Sequence, residues 1–185
     1  MSESERLRRL HEFDRWGNRL ALASIKSCEG VLLSQASRIG AAVDDVYERY
    51  ARALAVMGHI LWAQRRWLWR MGECEPPPEV MPVKEWPVSR LEQEATDLDG
   101  LWARFLEGIT DEDLAEPVRY LGSDGQAYQD TVADIVTHVL MHGTYHRGQV
   151  AMLVKQCGGR PAETDFIYFA HEAAAATEKG RHDEP

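Results

Sequence analysis

Cysteine is scarce in this chain, long apolar runs are absent and basic residues are outnumbered, and each shortage removes a class of protein. The cysteines are three, Cys28, Cys74 and Cys157, widely separated and odd in number. That excludes a disulfide framework and a Cys-x-x-Cys metal site, and makes reduced thiols in the cytoplasm the expectation. No run approaches the roughly 20 apolar residues of a membrane span. The opening M-S-E-S-E-R-L-R-R-L lacks the apolar core and cleavage site of a secretory signal. Lysine and arginine number 21 against 30 acidic residues, a formal net charge of −9. The averaged field therefore repels polyanions, so neither nucleic acid nor an anionic membrane is expected as a partner.

What remains is the ordinary mixture of a globular protein, 44% hydrophobic and 28% charged over 185 residues, enough for one core and one domain. The expected domain covers residues 1–175, followed by a polar, frayed tail at 176–185. No internal repeat is visible, but four long segments carry helical periodicity. The first runs from about Glu5 to about Lys26 through Leu7, Leu10, Phe13, Leu20 and Leu22. Ser27 to Val43, with Gly30 and Gly40, reads as loop or part helix. Asp44 and Asp45 then offer N-caps for a second helix ending near Met71, closed by Gly72.

Glu73 to Pro87 holds Pro76, Pro77, Pro78, Pro82 and Pro87, whose fixed φ and missing N–H groups exclude regular helix. A third amphipathic helix spans about Val88 to about Gly108. Around Gly122-Ser123-Asp124-Gly125 the pattern changes to a short hairpin or extended loop. A fourth helix follows from about Asp130 to about Gln156, stopped by Gly158-Gly159 and Pro161. The fold class read from this order is all-α, a four-helix bundle, whose interior can host a site built from facing helices.

The chemistry concentrates in Thr137 to Gln149, T-H-V-L-M-H-G-T-Y-H-R-G-Q. On a helix His142 and His146 stand about 40° apart and bracket the stripe of Ile135, Val139, Val150 and Leu153, so both point inward. Buried imidazoles need partners, and the i, i+4 spacing lets two of them approach one metal ion. Taken alone, the pair is equally consistent with a hydrogen-bonded polar core. Gly143 between them implies either close packing or room for a ligand. A third donor is available in His59, the sole histidine of the second helix, although a lone histidine among apolar neighbours is ordinarily a core residue. His138 stands to His142 as His142 stands to His146, and is a rival ligand.

H-G-T-Y-H-R-G-Q resembles the signature of the DinB/YfiT-like metalloenzyme family. Trp16-Gly17-Asn18 resembles that family's first-helix W-x-N, His59-Ile60-Leu61 its second-helix histidine, Tyr128-Gln129-Asp130-Thr131 the approach to the last long helix, and Pro161 to Phe169 its C-terminal segment. The resemblance implies an up-down-down-up bundle, a homodimer, and a metal held by His59, His142 and His146. It favours His142 with His146 over His138, which then lines the pocket beside the ligands, as Tyr145 does. Arg147 and Gln149 belong to the signature, with a salt bridge from Arg147 to the first helix as plausible a role as chemistry. Tyr128 and the tryptophans Trp62, Trp67, Trp69 and Trp86 are packing or dimer-surface residues before they are substrate contacts.

Three neutral imidazoles leave a tetrahedral ion one open position, the arrangement of catalytic rather than closed structural zinc. A water or a substrate thiol there would be acidified. The functions expected are metal-dependent thiol transfer or detoxification with a low-molecular-weight thiol, which characterised relatives in the resembled family perform, or hydrolysis. The alternative is a structural or sensory metal-binding module without catalysis. No glutamate lies within the H-x-x-x-H as it does in H-E-x-x-H proteases, so proteolysis is disfavoured. All-imidazole ligation suits zinc or nickel and leaves the metal open. The sequence names no catalytic residue.

Overall fold

The computed structural model describes residues 1–35, 41–77 and 86–182. The elements in chain order are α1 (Glu3–Gln35), α2 (Ala41–Arg70), α3 (Val88–Gly108), the single turn α4 (Asp111–Leu114), strands β1 (Pro117–Leu121) and β2 (Ala127–Thr131), α5 (Val132–Gln156) and α6 (Phe166–His182).

The directions of the four long helices follow from their cross-contacts. On α1 and α3, Arg8 donates to the Leu106 carbonyl while Lys26 pairs with Glu92, so these helices are antiparallel. Likewise Gln64 bonds Asp14 while Tyr50 bonds Glu29, which sets α2 antiparallel to α1. Asp14 meets Arg147 and Cys28 meets the Val154 carbonyl, so α5 runs parallel to α1. The result is up, down, down, up, with α3 and α5 on opposite flanks of the α1–α2 pair. Two parallel neighbours, α2 and α3, require a long return, and the proline-rich stretch supplies it; residues 78–85 of that stretch, with Pro78 and Pro82, lie outside the described residues.

The core forms where apolar residues recur at helical spacing: Leu54, Met57, Leu61 and Leu68 on α2, and Leu91, Leu98, Trp102 and Leu106 on α3. Ile135, Val139 and Val150 of α5 are buried as their stripe requires, while Leu153 is only partly covered. Trp69, by contrast, is exposed.

Three boundaries differ from the sequence reading. First, α1 does not stop near Lys26 but continues to Gln35. Gly30 costs a helix about 1 kcal/mol relative to alanine. Cys28, fully buried against α5, and the 3.0 Å bond from Tyr50 to Glu29 hold this turn in place from outside. Residues 36–40, with Gly40, lie outside the described set. Second, α2 begins at Ala41, so Asp44 and Asp45 sit within its first turns instead of capping it. Third, Phe166 onward forms α6, a helix absent from the sequence reading, which runs to His182 and through the expected start of the tail; residues 183–185 lie outside the described set. Phe169 buries itself against Phe13 and Trp16 of α1, and the Trp16 indole N–H donates to Glu172 at 2.8 Å.

The hairpin aims α5. Val118 pairs with Asp130 and Tyr120 with Tyr128 around a turn in which Gly125 adopts φ 77°. At its end Thr131 caps α5, accepting from the Asp134 N–H at 3.1 Å. Tyr120 packs edge-on against Trp67 at 4.9 Å, and Tyr128 bonds Asp124 within the turn at 2.8 Å.

Candidate metal centre

His59 leaves α2, and His142 and His146 leave α5, into one space between the two helices. One ring nitrogen from each lies within 4.8 Å of the others, and all three side chains are half-buried. The ring centroids are 4.9, 4.7 and 4.4 Å apart for the pairs 59–142, 59–146 and 142–146. His59 Nε2 and His142 Nε2 approach to 3.1 Å. Two imidazole nitrogens at that distance require either a proton between them or a shared cation.

The electrostatics favour the neutral imidazoles that a metal needs. Burial, with a smaller repulsion from His146, lowers the pKa of His59. Burial, reinforced by His146, His59 and His138, brings His142 down to about 4. His146 Nδ1 lies 2.9 Å from Gln149 Oε1. An amide oxygen only accepts, so Nδ1 is the donor, and the tautomer this selects is the one that offers its Nε2 lone pair to an ion. The donor set fits a divalent transition ion: three borderline imidazole nitrogens, two of them on rings that burial keeps from protonating.

His138 stands outside this group. It is exposed, packs edge-on against Trp67 at 5.4 Å, and its ring lies 5.6 Å from that of His142. Tyr145, 67% exposed, touches His146 at 5.0 Å from the solvent side.

A buried polar network props the centre from behind. The Arg147 guanidinium, 1% exposed, pairs with Asp14 of α1 and donates to Asn18 Oδ1 and Thr144 Oγ1, each at 3.0 Å. Asp14 also accepts from Asn18 at 2.9 Å and from Gln64 of α2 at 2.7 Å. One carboxylate thereby ties three helices together at the residue that follows His146. Its presence explains two glycines. A Cβ at Gly143 would lie 2.5 Å from Asp14 Oδ1, and one at Gly17 2.7 Å from Arg147 Nε, so Gly143 reflects close packing rather than room for a ligand. Asp14 and Gln64 went unnoticed in the sequence because acidic and amide residues on a long helix ordinarily face water. The one available signal was their place on the inner faces of α1 and α2.

The fold and the site define a class: a helical bundle carrying a three-histidine group suited to a metal between its second and last long helices. The sequence profile of the DinB family matches residues 44–181, and the chain belongs to that family. Protein DinB of Bacillus subtilis (strain 168) is 34% identical over 55 residues, 30% of this chain and 32% of that protein. The match thus spans about a third of the relative's length. No solved structure matches the chain.

Proposed function

We propose that this protein is a metal-dependent enzyme in which His59, His142 and His146 hold one divalent transition ion, zinc or nickel, and that it carries out thiol transfer and detoxification with a low-molecular-weight thiol. The observation that carries the reading is the group itself: three imidazole nitrogens converge from two helices, half-buried rather than enclosed, with no fourth cysteine, aspartate, glutamate or histidine in the group among the described residues. A structural site is ordinarily closed by four protein ligands; three leave a position for substrate. When bound, such an ion supplies Lewis acidity and lowers the pKa of the donor that takes that position. The protein's part is to keep His59 and His142 deprotonated by burial, to fix the His146 tautomer through Gln149, and to hold α5 in place through Arg147. Hydrolysis is the second chemistry such a centre supports, and a structural or sensory role is the alternative without catalysis.

Elemental analysis of protein made without a histidine tag, followed by a screen of thiols against electrophiles, tests the proposal. One ion per chain and thiol-dependent turnover lost in His59→Ala is the expected result. Stoichiometric metal with no turnover of any thiol or hydrolytic substrate would favour the structural or sensory role.

We also propose a homodimer. Met141, Tyr145 and Met152, 56%, 67% and 60% exposed, lie with Gly148 along one face of α5, an apolar stripe of the kind that marks an interface. Light scattering at micromolar concentration should give twice 21.0 kDa, and Tyr145→Lys should return the monomer. A cytoplasmic location accords with the sparse, odd cysteines. No helix among the described residues is long and apolar enough to cross a membrane.

A further inference from the structure

A second concave space lies away from the histidines. A trough of about 630 Å³ runs along α1 between α3 and α6, inside the roughly 300–1,000 Å³ range of small-molecule sites. Trp16, Leu22 and Phe169 contribute buried apolar surface. Asn18, 3% exposed, lines it as well and belongs to the Arg147 network, which separates the trough from His146.

Its charges are unspent. Arg15 and Arg19 stand one turn apart on α1, both exposed, and among the described residues neither has a carboxylate within ion-pairing distance. On the α3 wall Asp99 is half-buried with no hydrogen-bond partner among those residues, and burial pushes its carboxyl up to about 6 although Arg15 opposes the shift. Glu92 at the edge is engaged by Lys26 at 3.6 Å. Two unpaired cations, one unpaired and partly desolvated carboxylate and an apolar floor therefore share one cavity. A polyanion would meet Glu12, Glu92 and Asp99, whereas a hydrocarbon would leave Asp99 desolvated without a partner.

We propose that this trough binds a small zwitterion of the dipeptide type with apolar side chains, its carboxylate on Arg15 and Arg19, its ammonium on Asp99 and its side chains on Trp16, Leu22 and Phe169. The site is separate from the metal centre and does not depend on it.

The test is ligand-observed NMR and calorimetric titration of the full chain with L-leucyl-L-phenylalanine. Saturable binding with Kd on the order of 0.1–1 mM is expected. The same dipeptide as its amide, which lacks the carboxylate, and as its N-acetyl form, which lacks the ammonium, should each bind at least tenfold more weakly. Arg15→Ala with Arg19→Ala should weaken the parent dipeptide by tenfold or more, and Asp99→Asn should do so separately, both with unchanged circular dichroism. His59→Ala should leave the affinity untouched. No saturable binding overturns the proposal, as does binding that survives the double arginine substitution, equal affinity for all three ligands, or loss of binding in His59→Ala.

Discussion

Replacing Arg147 by methionine should cost several kcal/mol of stability, because it strands a buried carboxylate. The side chain is fully enclosed and its partner Asp14 is 2% exposed. Methionine fills much of the same volume and removes the cation, leaving Asp14 with two neutral donors, Asn18 and Gln64. A carboxylate buried without its counter-charge costs about 3–5 kcal/mol. For a chain of this size each kcal/mol moves Tm by roughly 2–4 °C, so Arg147→Met should melt roughly 6–20 °C lower. The origin of the loss is separable. If the cost is the stranded carboxylate, Asp14→Leu combined with Arg147→Met should recover much of it, because replacing a whole buried pair by apolar residues is often neutral or stabilising. A urea-denaturation double-mutant cycle at pH 7.5 measures the coupling. A single variant losing less than about 1 kcal/mol would refute the assigned role of the pair. A double variant as unstable as the sum of its parents would refute the argument from desolvation.

His59→Ala and His142→Ala should each abolish stoichiometric metal while helicity persists, and His138→Ala should retain it; metal lost from His138→Ala but kept by His146→Ala would reverse the ligand assignment. Gln149→Ala should weaken metal affinity roughly 10–100-fold without lowering helicity, checked by competition with a chromogenic chelator. In the chelator-treated protein the pKa of His142 is depressed to about 4 from an unfolded value of 6.5, so the unfolded chain binds the proton first. Stability should then be full above about 6.5 and fall as pH drops toward about 4. With metal present, protons compete with the ion for the same nitrogens. The holo form should therefore melt above the apo form at pH 7.5 and converge with it at pH 5; equal melting at pH 7.5, with metal removal confirmed by elemental analysis, would mean the ion adds little to the fold.

The sequence by itself determined the helical class, the limits of α3 and α5 and the hairpin between them, because each is written in short-range pattern. Periodicity along α3, Pro87 before it and Gly158 after α5 are properties of a few consecutive residues, as is the i, i+4 spacing that places His142 beside both His138 and His146. His59 was legible only through resemblance, since nothing local distinguishes a ligand histidine from a core one; the approach of α2 to α5 brings its ring within 4.7 Å of His146. The extension of α1 to Gln35 was equally invisible, because a helix containing Gly30 is held by a cysteine and a glutamate that meet partners on other helices. Long-range packing also decided the meaning of Gly17 and Gly143, which look like weak points in their helices and are clearances for a buried ion pair. Asp14 joins Arg147 from 133 positions away, and α6 covers the aromatic face of α1 from the far end of the chain. A contact whose partners are that far apart leaves no trace in the pattern around either residue, so only the assembled bundle could reveal it.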